Sequence, residues 1–216
     1  MMHAIVFAGG TLQAGKAVEA AIARANLIIA ADSGALTAFN YGLIPSFIIG
    51  DLDSVVIPSQ DLEAMGSQVI QVAEEKDETD TELAIQLAVD RGAATVTLLG
   101  GLGGTRFDHT MANVCLLAAF EPVALSIVDG TTTIWLLRGP GRTSILGQPR
   151  DLLSLLPLTA EAIGVRTQNL YYPLHGETLL FGKPRGVSNV LTHDRAEVSL
   201  ESGMLLIIHT AIDDPL

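Results

Sequence analysis

The sequence predicts an α/β fold, in which a mostly parallel, Rossmann-like sheet with flanking helices is followed by a C-terminal all-β sandwich. Up to about residue 130, short apolar β-like runs alternate with helix-like segments, the pattern of a parallel sheet covered on both faces. Beyond that point the runs are β-branched or apolar and are separated by glycine and proline. We therefore predict an α/β domain over residues 1–130 and a β domain over 131–216.

The first domain shows a regular alternation of elements. Its apolar runs have the length of buried strands and lie at 4–7, 27–30, 47–49, 69–72, 95–99 and 124–128. Its helix-like segments lie at 16–24, 79–89 and 107–119. In such folds ligands bind beyond the carboxyl ends of the strands, so polar residues at those ends are the first candidates for a site.

The second domain has the composition of β structure. Predicted strands lie at 131–136, 144–146, 152–156, 197–200 and 205–208. The segment 138–141, Arg-Gly-Pro-Gly, is interpreted as the linker between the two halves. His193 and His209 belong to no motif and are interpreted as surface or core histidines.

Composition excludes several classes of function. The net charge of −12 argues against binding of a nucleic-acid backbone, and it means that a polyanionic substrate needs a metal ion or a local basic group. The single cysteine, Cys115, excludes an intrachain disulfide and lies in an apolar run, which predicts a buried thiol. No apolar stretch reaches the roughly 18 residues of a membrane span, and the N-terminus lacks a signal pattern, so we expect a cytoplasmic protein.

Four aspartates in two short clusters point to phosphate chemistry. Asp51 and Asp53 follow the predicted strand 47–49, and Asp77 and Asp80 lie where the helix 79–89 begins. Mg²⁺ takes oxygen ligands of this kind and usually shares its coordination shell with substrate phosphates. Asp51 and Asp53 alternate around one residue, so in a strand they would lie on one face roughly 7 Å apart.

For both clusters, an interpretation as purely structural residues with no role in a site stays open. Thr79 and Glu82 form a T-x-x-E capping box, and acidic residues are favourable at a helix N-terminus. This accounts for Thr79 and Glu82 and only in general terms for Asp77 and Asp80. The first cluster could equally be a polar turn.

Two glycine-containing loops could approach a phosphate. Residues 100–104 are rich in glycine, follow a predicted strand and precede Arg106, whose planar guanidinium suits phosphate oxygens. Residues 10–17 nearly fit the P-loop pattern, but Ala17 stands where a Ser or Thr would hold Mg²⁺. An ordinary strand-to-helix loop, with backbone amides near a phosphate, is the favoured interpretation of this second segment.

Five short motifs, in order along nearly the whole chain, resemble those of the thiamine pyrophosphokinase family. They are Ala31-Asp32-Ser33-Gly34-Ala35, Gly50-Asp51-Leu52-Asp53-Ser54, Lys76-Asp77-Glu78-Thr79-Asp80, Gly104-Thr105-Arg106-Phe107-Asp108-His109 and Gly186-Val187-Ser188-Asn189. The resemblance implies a catalytic α/β domain, a C-terminal β-sandwich and a homodimer. It also implies transfer of the pyrophosphoryl group of ATP to thiamine, which yields thiamine diphosphate and AMP.

The resemblance also implies roles for individual residues. The implied Mg²⁺ ligands are Asp51, Asp53, Asp77 and Asp80. The implied ATP-side residues are Asp32, Ser33, Gly34, Lys76, Thr79, Arg106 and His109. The implied thiamine-recognition loop contains Ser188 and Asn189. The candidate catalytic residues are Asp51, Asp80, Arg106 and Asp108, and either Asp80 or Asp108 could orient the thiamine hydroxyl.

Two other functional classes stay open at this point. The same aspartates could serve a Mg²⁺-dependent phosphohydrolase that activates water. A nucleotide-sensing module without turnover is the second alternative, although binding alone rarely needs so many carboxylates. The ATP-side motifs all precede residue 110 and the thiamine motif lies in the β-rich half, so we expect an active site shared between two chains of a homodimer.

Overall fold

The computed structural model describes residues 1–55 and 57–212, so the last four residues of the predicted second domain lie outside the described part. The chain forms two compact units, Met1–Gly130 and the chain from Thr131 onward. The first has a parallel sheet with helices and the second has antiparallel sheets, which confirms the predicted mixture of α/β and β structure. Among the described residues, no helix is long and apolar enough to span a membrane.

The first unit alternates strands and helices. Its strands are β1 His3–Phe7, β2 Leu27–Ala31, β3 Phe47–Gly50, β4 Gln68–Gln71, β5 Thr95–Leu99 and β6 Ala124–Asp129. Its helices are α1 Lys16–Ala23, α2 Gly34–Asn40, α3 Ser59–Ala64, α4 Asp80–Asp90 and α5 Phe107–Leu116. The short helices α2 and α3 were not predicted, because six or seven residues are too few to show a helical period.

The parallel strands follow the order β4-β3-β2-β1-β5-β6. Strand β1 therefore has β2 on one side and β5 on the other, and the strand order reverses at this point. The loops after β1 and β5 leave the sheet side by side, at the kind of position where open α/β sheets bind ligands. Residues Ile5, Phe7 and Leu99 pack with Val18 of α1 in the core on one face of the sheet.

Helix α4 begins as the sequence predicts. The Thr79 hydroxyl oxygen accepts a hydrogen bond from the backbone N–H of Glu82 at 3.1 Å, so Thr79 caps the helix. This cap places Asp80 in the first helical turn, where a carboxylate interacts favourably with the helix dipole. The capping interpretation and a role of Asp80 in a site are therefore compatible.

The second unit consists of two antiparallel sheets. Its strands are β7 Thr132–Arg138, β8 Gly141–Leu146, β9 Leu152–Pro157, β10 Glu161–Gln168, β11 His175–Leu180, β12 Gly186–Val190, β13 Arg195–Leu200 and β14 Met204–Thr210. One set of strands runs in the order β12-β9-β14-β7 and the other in the order β11-β10-β13-β8. Alternate residues of both sets, such as Leu153, Val198 and Ile207, pack into one hydrophobic core.

Two sequence interpretations are wrong. The segment 138–141 is not the linker between the units, because Arg138 ends β7, Gly141 begins β8, and both strands lie in the second unit. Cys115 is exposed rather than buried. Helix α5 buries Asn113 and Leu116, and Cys115 lies on the opposite side of the helix from Asn113.

Candidate active site

A cleft of about 490 Å³ lies in the first unit, where β1, β2 and β5 end. The described residues that line it come from five segments of the chain: the loop after β1, the end of β2 with the loop that follows it, the loop after β3, the start of α4, and the loop and helix after β5. Among them are Gly10, Thr11, Asp32, Ser33, Thr79, Asp80, Gly103, Arg106, His109 and Asn113. The cleft is thus at the reversal point of the strand order.

Glycines allow the loops after β1 and β5 to touch through their backbones. A Cβ atom on Gly10 would lie 2.3 Å from the carbonyl oxygen of Gly100 and 2.4 Å from that of Gly103. A Cβ on Gly103 would lie 2.1 Å from the carbonyl oxygen of Thr11. No side chain fits at these distances, so glycine is required on both sides of the contact, and the cleft wall there is main chain.

Three carboxylates converge at the ends of the adjacent strands β2 and β3. Carboxylate oxygens of Asp32, Asp51 and Asp53 all lie within 4.8 Å of one another. Asp32 follows β2 and donates its backbone N–H to the Ile49 carbonyl oxygen at 2.9 Å, which holds the two strand ends together. Asp53 donates its backbone N–H to Asp51 Oδ1 at 3.2 Å.

The backbone is strained at this convergence. Asp32 has φ +46° and Leu52 has φ +65°, a left-handed conformation that non-glycine residues adopt rarely. Such outliers cluster at ligand sites, where the surrounding structure enforces them. The two strained residues belong to the loops after β2 and β3, which carry the three carboxylates.

The three-carboxylate group fits a hard divalent cation such as Mg²⁺. Asp32 Oδ1 is buried and accepts no hydrogen bond from any described residue. A buried carboxylate oxygen without a donor is costly, and a bound cation would satisfy it. The donor set consists only of carboxylate oxygens, which is the ligand chemistry that Mg²⁺ prefers.

Asp80 is close enough to the three-carboxylate group to interact with its charges. Its carboxylate forms an ion pair with Lys76, with 3.1 Å between Nζ and Oδ1. Burial raises the pKa of Asp80, the Lys76 ammonium group lowers it, and the negative charges of Asp51 and Asp32 raise it further, so that the net shift is upward. Asp80 therefore interacts electrostatically with the three-carboxylate group, although it is not one of its members.

The remaining member of the second aspartate cluster lies apart. Asp77 is exposed and is not part of the three-carboxylate group that the described residues form. The group instead contains Asp32, which the sequence placed on the nucleotide side. Only the pairing of β2 with β3 brings Asp32 beside Asp51, and a single aspartate after the second strand carried no signal of that contact.

Arg106 and Asp108 pair with each other. Arg106 Nη2 lies 2.6 Å from Asp108 Oδ2, and both side chains are exposed. The hydrogen bonds from Arg106 lower the pKa of Asp108 to about 2. Arg106 and His109 line the cleft, whereas Asp108 is not among the described lining residues. In this structure Asp108 thus orients Arg106.

Ser33 and Gly34 lie where β1 and α2 meet. Ser33 lines the cleft, and a Cβ atom on Gly9 would lie 2.5 Å from its hydroxyl oxygen. A Cβ on Gly34 would lie 2.1 Å from the carbonyl oxygen of Phe7, so α2 begins in direct backbone contact with β1. Gly34 therefore acts by close packing and not through a side chain.

In the second unit, Ser188 and Asn189 differ in their surroundings. Ser188 is exposed, has φ +57°, and donates its backbone N–H to Ser154 Oγ at 3.0 Å. Asn189 is buried: its Oδ1 accepts from the backbone N–H of Tyr172 at 3.0 Å, and its Nδ2 donates to the Tyr172 carbonyl oxygen at 2.7 Å. The Asn189 amide thus holds the main chain of Tyr172.

That contact presents two tyrosines to solvent. The side chains of Tyr171 and Tyr172 are each 66% exposed, and their rings pack edge to face with centroids 4.8 Å apart. The sequence reasoning did not single them out. The available signal was two adjacent aromatic residues in a chain with three tyrosines in all, but their link to Asn189 depends on tertiary structure.

A glycine-walled cleft beside clustered carboxylates is typical of enzymes that transfer phosphate groups with a bound cation. Two family models match the chain: "Thiamin pyrophosphokinase, catalytic domain" over residues 18–128, and "Thiamin pyrophosphokinase, vitamin B1 binding domain" over residues 145–205. The first covers more than half of the chain. The chain belongs to the thiamin pyrophosphokinase family, an enzyme family, which confirms the resemblance seen in the sequence.

Individual relatives agree with this membership. Thiamine pyrophosphokinase of Bacillus subtilis strain 168 is 27% identical over 188 residues, which cover 85% of this chain and 87% of the relative. A crystal structure of the Bacillus subtilis enzyme superposes with a TM-score of 0.84 at 26% identity, covering 98% of this chain and 99% of that one. The Geobacillus thermodenitrificans enzyme superposes with a TM-score of 0.82 at 25% identity and covers 100% of both chains.

Proposed function

We propose that this enzyme transfers the pyrophosphoryl group of ATP to the hydroxyl of thiamine, with thiamine diphosphate and AMP as products. The observation that carries the proposal is the convergence of Asp32, Asp51 and Asp53 within 4.8 Å, in a chain of this family. In this proposal the first unit is a Rossmann-like domain for ATP. The second is a β-sandwich that recognises thiamine.

Asp32, Asp51 and Asp53 would hold Mg²⁺, and Asp80 would face it from the start of α4. When bound, Mg²⁺ neutralises charge on the phosphate oxygens. The chain has a net charge of −12, so a triphosphate needs this neutralisation to enter an acidic cleft. A cytoplasmic location, where ATP and Mg²⁺ are abundant, fits the same chemistry.

Groups of the cleft wall would position the phosphates. The loops at Gly10 and Gly103 bring main-chain groups to the ligand without intervening side chains. Arg106 would exchange its contact with Asp108 for the phosphate oxygens, because guanidinium binds both kinds of oxyanion in the same geometry. Positioning of this kind supplies much of the catalysis in phosphoryl-type transfer.

Asp80 is the better candidate to orient the thiamine hydroxyl. Asp80 is among the described residues that line the cleft, whereas Asp108 is not. The choice between Asp80 and Asp108 therefore favours Asp80.

Tyr171 and Tyr172 would bind the rings of thiamine. Thiamine carries a cationic thiazolium ring, and aromatic faces attract cations and stack on heteroaromatic rings. The Asn189 amide would act by holding Tyr172 in place, and the exposed hydroxyl of Ser188 would contact the substrate directly. This assigns Asn189 a supporting role, in place of the direct contact suggested by the sequence.

Replacement of Tyr172 by Ala should raise the KM for thiamine by about tenfold, or ~1.4 kcal/mol, because the ring face is lost. The KM for ATP should stay unchanged, because the ATP-side residues lie in the other unit. Initial rates at varied thiamine and at varied ATP give both values. Tyr172→Phe is the matched control and should behave like the wild type; a normal thiamine KM in Tyr172→Ala would remove the tyrosine from the site.

The reaction itself is tested by incubation with ATP, Mg²⁺ and thiamine, followed by chromatography of nucleotides and thiamine esters. We expect AMP and thiamine diphosphate in equal amounts, both dependent on thiamine. Release of phosphate or pyrophosphate without thiamine would indicate the phosphohydrolase alternative. Binding of nucleotide without any turnover would indicate the sensing module.

A homodimer with a shared active site is part of the proposal. The ATP-side residues all lie in the first unit, and the candidate thiamine residues lie in the second. In β14, Leu205 and Ile207 point into the core of the second unit, and of the two residues on the opposite face Leu206 is already buried within one chain, whereas Ile208 is half-buried. A second copy of the chain would cover the apolar surface that remains at Ile208.

Complementation tests the shared site. Asp51→Asn and Tyr172→Ala chains should each have low activity at subsaturating thiamine, and mixing them with subunit exchange should restore it. One of the two sites in each heterodimer would then contain only wild-type residues. Heterodimers that form and stay at the activity of the separate mutants would place the whole site within one chain.

A further inference from the structure

A buried carboxylate–imidazole contact lies in the second unit, outside the candidate active site. Asp151 belongs to the turn before β9 and is 3% exposed. His209, near the end of β14, places Nε2 2.9 Å from Asp151 Oδ2. His209 belongs to no sequence motif and is interpreted from the sequence as a surface or core histidine.

The Asp151 carboxylate is fully engaged by donors from separate segments. Besides His209, Oδ2 accepts the backbone N–H of Gln148 at 2.8 Å, and Oδ1 accepts that of Ile212 at 3.1 Å. Burial raises the pKa of Asp151, but these donors outweigh burial and lower the pKa below its usual value. The group is therefore a stable anion that joins the turn, β14 and the segment after β14.

The same turn forms backbone hydrogen bonds with the residue that follows β12. Leu191 donates its backbone N–H to the Asp151 carbonyl oxygen at 2.9 Å, and Arg150 donates its own to the Leu191 carbonyl oxygen at 2.8 Å. A Cβ atom on Gly147 would lie 2.4 Å from Asp151 Oδ2 and 2.9 Å from His209 Nε2. The turn 147–151 is thus closely fitted around the Asp151–His209 pair.

The other side of the same segment holds the tyrosines. Tyr171 donates its backbone N–H to the Val190 carbonyl oxygen at 2.9 Å, and Asn189 bonds to both backbone groups of Tyr172. Residues 189–191 therefore lie between the Asp151 turn and the exposed aromatic pair. A displacement of Leu191 would be passed to Asn189 and from there to Tyr172.

We infer that Asp151 and His209 are positioning residues for the thiamine-recognition segment. The pair sets the shape of the turn 147–151, the turn fixes Leu191, and β12 then fixes Asn189 and the main chain of Tyr172. The inference rests on the proposed function, because it takes Tyr172 and Ser188 as the residues that meet thiamine. It assigns the specificity of the substrate site in part to two residues that do not touch the substrate.

Two substitutions at His209 test the inference. His209→Gln keeps an N–H donor toward Asp151, whereas His209→Leu has none. We expect His209→Leu to raise the KM for thiamine by about tenfold. His209→Gln should change it by no more than about twofold. In both variants the KM for ATP and the kcat at saturating thiamine should match the wild type, at a temperature well below the melting transition of each variant.

A purely structural role would lower the melting temperature of His209→Leu and leave the thiamine KM of the folded enzyme unchanged, and that result would overturn the inference. An equal rise in the KM for ATP would also overturn it. Should His209→Leu fail to fold, His209→Asn, whose shorter amide leaves Asp151 Oδ2 without this donor, takes its place under the same criteria.

Amide hydrogen exchange separates failure of the inference from failure of the proposed function. If the wild type forms no thiamine diphosphate, the proposed function fails, but exchange at Tyr172, Val190 and Leu191 can still be compared between the wild type and His209→Leu. Faster exchange at these amides in the variant supports the positioning role. Unchanged exchange overturns it.

Discussion

Replacement of Asp51 by Asn is expected to lower kcat by at least about 10²-fold, the scale lost with one major electrostatic group of an active site. The substitution removes one negative charge from a group of three carboxylates within 4.8 Å of one another. It should leave the fold intact, because an Asn Oδ1 can still accept the backbone N–H of Asp53. Circular dichroism and kcat measured over a range of Mg²⁺ concentrations check both parts.

Asp77→Asn is the matched control for this prediction. Asp77 is an exposed aspartate from the other predicted cluster, outside the three-carboxylate group, so its replacement should change kcat by no more than about twofold. A large loss in both variants would indicate a wider metal site than the one described. Near-normal turnover of Asp51→Asn at low Mg²⁺ would reduce Asp51 to a turn residue.

Replacement of Gly10 by Ala is expected to cost about 10²-fold in kcat/KM for ATP, since a displacement of about 1 Å in a positioned site can cost that much. The new methyl carbon would lie 2.3 Å and 2.4 Å from two carbonyl oxygens, of Gly100 and Gly103, and backbone atoms cannot turn away as a side chain can. The loops after β1 and β5 must then separate, which reshapes the cleft wall. ATP titration and steady-state kinetics measure the loss.

Gly101→Ala provides the comparison for Gly10→Ala. Its methyl carbon would meet side-chain carbons of Leu98 and Ile127, the nearest at 2.8 Å, and these can move. We expect a smaller loss of kcat/KM, accompanied by a lower melting temperature because Gly101 is buried. Equal ATP affinity in Gly10→Ala and the wild type would show that the backbone contact does not shape the nucleotide site.

Much of the fold could be predicted from local sequence. Buried parallel strands such as β2, and β1 from Ala4 to Phe7, are continuous apolar runs, and that signal needs no tertiary information. Helices α2 and α3 could not be found, because they are too short for a period to show. The segment 138–141 was misread because Gly and Pro also serve where a chain passes from one sheet to another.

The candidate site was predictable to the extent that its residues are neighbours in sequence. Asp51 and Asp53 form a visible pair, but Asp32 joins them only because β2 lies beside β3. Asn189 was noticed through a motif, but its buried amide and its hold on Tyr172 follow from the pairing of distant segments. The aromatic pair itself, Tyr171 and Tyr172, had no sequence motif to mark it.

The fate of the β-phosphate of ATP tests the central claim most directly. ATP labelled with ³²P at the β position is incubated with thiamine and Mg²⁺, and the products are separated. If the pyrophosphoryl group moves as a unit, the label appears in thiamine diphosphate and AMP stays unlabelled, with the labelling lost in Asp51→Asn. Label retained in ADP, with formation of thiamine monophosphate, would show transfer of the γ-phosphoryl group alone and would contradict the proposed reaction.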